Sequence, residues 1–156
     1  MREDFLSETM NKYGDTVLRV AASVTGNLSD AEDVFSDVFF LFWQLDKKFS
    51  SDEHLKAWLI RVAVNKAKNI RKSARNRLTA QLHENIFDDY PEPDFDVQTA
   101  LEKLKPRERA IIYLHYYEGY SYNAIARIIG LREVSVRSVA MRAREYMKEI
   151  LKLMHE

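Results

Sequence analysis

The sequence predicts an all-α protein, built as two small helical domains joined by a flexible acidic linker. Three observations lead there. Apolar residues recur at helical spacing in one segment after another, with no strand-like alternation. The 156 residues include only 4 Gly and 3 Pro, too few for the turns of an all-β chain. The periodicity lapses over residues 81–98, where two prolines and six acids stand without any repeat, as a tether would. The expected boundaries are 1–78 for the first domain, 79–96 for the linker and 97–156 for the second domain.

Taken in order, Phe5, Leu6, Met10, Tyr13, Val17, Leu18, Ala21 and Val24 mark one face of a first helix over Asp4–Val24. Gly26-Asn27 breaks it. Ser29-Asp30-Ala31-Glu32 has the form of a capping box, with Ser29 as N-cap, so a second helix is expected from Asp30 to Leu45. After a short connection, Ser51 is placed to cap a third helix running from Asp52 to about Leu78. Beyond the linker a helix is expected over Val97–Leu104. Pro106 suits the first position of the next, which runs to Glu118 and closes at Gly119. Ser121 caps Tyr122–Ile129, Gly130 ends it, and a final helix runs from Glu133 to Leu153.

Composition narrows the function. The absence of Cys excludes disulfides, thiolate catalysis and Cys-ligated metal. His54, His83, His115 and His155 lack ligand spacing, and no glycine-rich phosphate loop exists. No enzyme activity, metal or cofactor is therefore expected. No apolar run approaches the ~20 residues of a membrane span, and the N-terminus does not read as a signal peptide. A cytoplasmic protein without membrane insertion is expected. The formal net charge is zero, but it is sorted into blocks. Residues 1–60 carry 6 basic and 11 acidic side chains, 61–80 carry 7 and none, 81–100 none and 6, and 101–156 carry 11 and 7. Such sorting points to parts with different partners.

The most specific motif is the C-terminal unit: a short helix, a Gly-Leu turn and a longer basic helix, the pattern of a helix-turn-helix. Ala126 is expected where the two helices cross, with Leu131, Val136 and Val139 buried. On the last helix, Arg137, Met141, Arg144 and Lys148 share a face flanked by Ser138 and Arg142, while Val136, Val139, Ala143, Tyr146, Met147 and Ile150 point inward. Such a face suits the major groove, where Arg reads guanine and other residues hold phosphate. The plainer alternative is a solvated helical hairpin.

A second basic stripe, Arg61, Asn65, Lys68, Lys72 and Arg75, lies on the third helix, with Leu55, Leu59, Val62 and Ile70 anchoring another face. Seven positive charges without an acid favour a polyanion partner. Asn65 and Asn69 are placed to read base edges. Phe49, in a polar loop, is the candidate for stacking on an unpaired base, whereas Trp58 fits the core better. The second helix is apolar almost all round, from Val34-Phe35 through Val38-Phe39-Phe40-Leu41-Phe42-Trp43, and is edged by Asp30, Glu32, Asp33 and Asp37. Either it is fully buried or part of its surface meets another protein.

These residues resemble a known family. Asp30-Ala31-Glu32-Asp33-Val34-Phe35-Ser36-Asp37-Val38-Phe39, with Trp43, resembles the polymerase-binding helix of bacterial sigma factors of the sigma-70 family. Trp58 to Asn69 is similar to their promoter-melting, minus-ten-reading helix. Leu104-Lys105-Pro106-Arg107-Glu108-Arg109 and Tyr117 to Tyr122, continuing to Ser135-Val136-Arg137-Ser138, resemble their minus-thirty-five-reading domain. The short length, with no domain between the two readers, points to the extracytoplasmic-function (ECF) group. Val139 stands where members usually carry Arg, Asn69 where Asp is frequent, Met141 where His or an aromatic is common, and Arg132 in place of a small capping residue.

The resemblance implies a factor that binds core RNA polymerase and directs it to promoter DNA. Residues 1–78 would be the region 2-like domain and 97–156 the region 4-like domain. Asp30, Glu32, Asp33, Asp37, Phe39 and Trp43 would dock on the β′ clamp coiled coil. Arg137, Ser138, Met141, Arg142 and Arg144 would address the minus-thirty-five element, with this domain on the β flap. Phe49, Arg61, Asn65, Lys68, Asn69 and Lys72 would hold the melted minus-ten strand. An anti-sigma factor is an implied further partner. The alternative is a helix-turn-helix regulator that binds duplex operators as a homodimer. It explains residues 101–156 but neither the aromatic second helix nor the basic third.

Overall fold

A computed structural model describes residues 2–74 and 95–155, without the side chains of 71–74, 95 and 98. The helices are α1 (Arg2–Thr25), α2 (Leu28–Leu45), α3 (Asp52–Ala74), α4 (Phe95–Glu102), α5 (Pro106–Tyr116), α6 (Tyr122–Ile129) and α7 (Glu133–Met154), with no strand among the described residues. The chain divides into two compact units, Met1–Glu84 and Asn85–Glu156. Most of the expected linker lies outside the described residues. Its last two positions, Phe95 and Asp96, instead open α4. Asp96 suits that first turn, where a carboxylate meets the positive end of the helix dipole, and it also lies 2.9 Å from His155 Nε2.

In the first unit, α1, α2 and α3 each pack on the other two. Their fully buried stripes follow the helical period: Val17, Val20 and Ala21; Ala31, Val34 and Val38; Leu59, Ile60, Ala63 and Ala67. Leu55 and Leu59 are buried as expected, but Val62 and Ile70 are only half-buried. α1 and α2 approach closely at Gly14, where an added Cβ would lie 3.2 Å from Phe35 Cε2. A mid-helix glycine costs about 1 kcal/mol relative to alanine, and here it makes room for the aromatic ring.

α2 starts earlier than expected. Its N-cap is Asn27, with Oδ1 accepting from the Asp30 N–H at 2.9 Å, so Ser29 falls inside the first turn. Asn27 Nδ2 also donates to Asp30 Oδ2 at 3.1 Å, a second bond between the same two residues at the cap. Ser51 does cap α3, its hydroxyl accepting from the His54 N–H at 3.1 Å.

In the second unit, α7 packs against α4, α5 and α6, and α5 packs on α6. Ile111, Leu114, Ile125, Val136 and Ala143 are fully buried between them. Ser121 Oγ accepts from the Ala124 N–H at 3.1 Å, and Gly130, at φ 77°, turns the chain out of α6. The N–H groups of Gly130 and Leu131 both return to the Ala126 carbonyl, at 2.9 and 3.0 Å. These bonds satisfy the end of α6 and set the turn into α7. Ala126 is buried as expected, whereas Leu131 is half-buried.

Three further features differ from the sequence expectation. Arg109 is only 6% exposed, and its Nη1 donates to the carbonyls of Leu104 (3.3 Å) and Glu102 (3.5 Å) at the end of α4. α5 stops at Tyr116 rather than Glu118, because the N–H groups of Tyr117 and Glu118 both turn back to the Tyr113 carbonyl. Tyr146, expected inward, is exposed. α6 is 8 residues long and α7 is 22. α7 is therefore long enough to pack against α4 and α5 as well as α6.

Candidate nucleic-acid interfaces

On α7, burial of Val136, Val139, Ala140 and Ala143 turns the opposite face outward. Arg137, Ser138, Met141, Arg142, Arg144 and Lys148 are all exposed, as the spacing predicts. Arg137 is not a free cation. Its Nε and Nη2 both donate to Glu133 Oε1, at 3.2 and 2.9 Å. Its guanidinium carbon also lies 5.4 Å from the Tyr122 ring centroid. Tyr122, the first residue of α6, stacks on His115 with centroids 4.1 Å apart and planes 16° from parallel. His115 Nδ1 is 2.7 Å from the Tyr120 carbonyl, which requires the proton on that nitrogen.

Tyr116 packs edge-on to His115 at 4.7 Å. Burial, followed by the neighbouring Tyr122, raises its phenol above the ordinary value. His115 is thus flanked by the rings of Tyr116 and Tyr122. The Glu133–Arg137 spacing of four was visible in the sequence. The approach of Tyr122 depends on the α6–α7 turn and was not.

On α3, Arg61, Asn65, Lys68 and Asn69 are exposed. Lys72 lies on the same helix, but its side chain is outside the described residues, and Arg75 is outside them altogether. Phe49 sits in an aromatic cluster at the head of this face. Its ring centroid is 6.2 Å from Phe42, 5.5 Å from Trp58 and 5.2 Å from His54. Lys47 Nζ stands over both Phe49 (5.7 Å) and Trp58 (5.8 Å). The expected division between a loop Phe49 and a core Trp58 therefore gives way to two half-buried rings in one cluster. The first turn of α3 also holds Asp52 2.7 Å from Lys12 Nζ, a hydrogen bond that raises the lysine pKa.

On α2, Glu32, Asp33, Ser36, Asp37, Phe40 and Trp43 are exposed along one side. Asp30 is half-buried in the cap with Asn27. Phe39, expected on the outer surface, is 4% exposed and packs against Phe35 (4.8 Å) and Phe42 (6.4 Å). Its ring belongs to the core because the α1–α3 contacts fix which side of this apolar helix turns inward. The exposed apolar residues are instead Phe40 (59%) and Trp43 (40%). Trp43 also receives the Arg2 guanidinium, 5.1 Å from its ring, while Arg2 Nε lies 3.6 Å from Asp46.

Among the described residues no His/Cys/Asp/Glu cluster could hold a metal ion, and no helix is long and apolar enough to cross a membrane. The first unit thus presents a cationic, amide-bearing helix face beside stacked aromatics, and the second an arginine-rich helix face. A family model for sigma-70 region 2 matches residues 9–77, and one for sigma-70 region 4 matches residues 94–147. The chain is 28% identical over 156 residues to the ECF RNA polymerase sigma factor SigE of Mycolicibacterium smegmatis, covering 92% of this chain and 60% of that one. It is 27% identical over 158 residues to the RNA polymerase sigma factor NccH of Alcaligenes xylosoxydans, covering 92% and 85%. The fold matches that of the sigma factor RpoE from Bartonella quintana, solved in complex with the anti-sigma factor NepR. That match has a TM-score of 0.74 and 27% identity, over 96% of this chain and 98% of that one. The chain belongs to the sigma-70 family, with region 2 in its first helical unit and region 4 in its second, and is a sigma factor of the extracytoplasmic-function group, which directs transcription initiation.

Proposed function

We propose that this chain binds core RNA polymerase and reads the minus-thirty-five element as duplex and the minus-ten element as melted strand. The supporting observation is the presence of two exposed cationic helix faces, one on each unit. Arg137, Ser138, Met141, Arg142 and Arg144 lie on α7, and Arg61, Asn65, Lys68 and Asn69 on α3. Arg137 and Arg142 are the groove readers, with Arg144 holding phosphate. Phe49 and the α3 amides take the extruded bases. Unstacking a base costs a few kcal/mol, and stacking on an aromatic returns about 1–3 kcal/mol. Capture by this chain offsets opening only in part, and polymerase contributes the rest.

The acid-edged outer side of α2, with Asp33, Asp37, Phe40 and Trp43, is the surface for the β′ clamp coiled coil, and the second unit sits on the β flap. Phe40 and Trp43 also give an anti-sigma factor an apolar surface to cover. We place the chain in the cytoplasm, as a binding protein without catalytic activity or cofactor. A zero net charge predicts weak DNA binding by the isolated chain. The purified protein added to core polymerase should give promoter-specific run-off transcripts. If no native promoter fragment yields a transcript, the reading fails. Tight, specific binding to duplex DNA without polymerase would favour the homodimeric regulator instead.

A further inference from the structure

We propose that Tyr122 and Glu133 are positioning residues that hold Arg137 in the conformation in which it reads its base pair. This inference rests on the promoter-reading role proposed above. A free arginine has many rotamers, and fixing one on binding costs affinity and blurs discrimination. Here Arg137 is constrained from two directions. Glu133, one turn earlier on α7, accepts both Nε–H and Nη2–H on a single carboxylate oxygen. Tyr122 offers its ring face from α6, across the turn.

The ring is itself fixed. It stacks on His115, whose Nδ1–H is committed to the Tyr120 carbonyl, and Tyr116 closes the His115 edge. A continuous set of contacts therefore runs from α5 through α6 to one guanidinium on α7. An isolated exposed ion pair is weak and leaves the side chain mobile. A pair whose cation also lies over an anchored aromatic ring has one favoured geometry. Glu133 carries a second consequence, because its carboxylate shares the exposed face offered to DNA. It repels phosphate from a misdocked helix while orienting the arginine, so it trades overall affinity for selectivity.

The test uses holoenzyme assembled from the full chain and core polymerase. Its substrates are a cognate promoter fragment and versions substituted at each minus-thirty-five base pair, competed at several salt concentrations. Arg137→Ala identifies the base pair that Arg137 reads. At that base pair alone, Glu133→Ala and Tyr122→Leu should each lower selectivity about two- to tenfold, the range for freeing one rotamer-rich side chain. Glu133→Ala should also raise affinity for the substituted promoters, whereas a residue needed only for folding would lower affinity for every fragment. Tyr122→Phe keeps the ring face and should keep wild-type selectivity. In an Arg137→Ala background, Glu133→Ala should leave selectivity unchanged.

Unaltered selectivity in both Glu133→Ala and Tyr122→Leu, with a selective wild type, overturns this inference alone. So does a Glu133→Ala variant that gains affinity equally for all fragments. A wild-type holoenzyme with no minus-thirty-five selectivity overturns the functional reading, and this inference with it.

Discussion

Replacing Arg109 by Met should unfold the second unit preferentially, and the expected size follows from the geometry. Arg109 is 6% exposed and donates to the Leu104 carbonyl at 3.3 Å and the Glu102 carbonyl at 3.5 Å. Met removes the donors and the charge but keeps most of the apolar stem, so the cavity contribution is small. The Leu104 carbonyl loses its charged donor in a buried setting, at about 1–3 kcal/mol. The Glu102 carbonyl is better placed to find water and adds about 0.5 kcal/mol. The sum, about 1.5–3.5 kcal/mol, approaches the few kcal/mol that a core of this size supplies. With about 4–8 °C per kcal/mol in a small domain, the midpoint should fall by about 6–28 °C.

Both tryptophans, Trp43 and Trp58, lie in the first unit. Tryptophan fluorescence therefore reports that unit, while far-ultraviolet circular dichroism reports both. The variant should show an early loss of part of the helical signal, with the fluorescence transition in place. A helical transition unchanged within about 1 °C, below the shift from even a quarter of a kcal/mol, would refute this account of Arg109.

Four other outcomes follow from the same structure. Ser121→Ala removes the acceptor for the Ala124 N–H and should cost about 1 kcal/mol, read as a lower urea midpoint with unchanged slope. Phe40→Ala should weaken association with core polymerase in a binding titration without lowering the melting temperature. Phe39→Ala should instead cost about 3–5 kcal/mol of folding stability, because its ring is buried. Asn65→Ala, exposed on α3, should leave recruitment of polymerase intact but reduce promoter opening measured by permanganate footprinting. Normal opening would remove Asn65 from the minus-ten site.

Much of this architecture was legible in the sequence because its signals are local. Ser51, Ser121 and Gly130 act within a few residues of themselves, so their roles at the ends of α3 and α6 follow from short-range hydrogen bonding and allowed backbone angles. The outward face of α7 was legible because Val136, Val139, Ala143 and Ile150 form one apolar stripe, which sets the orientation against a core.

The same reasoning fails where a local pattern admits two solutions. Asn27 and Ser29 are both good caps, and the reciprocal bond with Asp30 favours Asn27. α2 is apolar almost all round, so periodicity gives it no preferred direction. Neighbouring residues are turned by ~100° on a helix, and packing against α1 and α3 decides that Phe39 goes in and Phe40 out. Tyr146 fits the inward spacing of α7, yet it is exposed. The hold on Arg137 combines both kinds of information. Its pairing with Glu133 is a matter of spacing, whereas the approach of Tyr122 exists only because the Gly130 turn brings α6 to α7. Sequence by itself determined the helices, the ends of those whose caps are unambiguous and the chemistry each face carries. Tertiary structure alone decided the direction of each ambiguous face, because burial depends on neighbours far away along the chain.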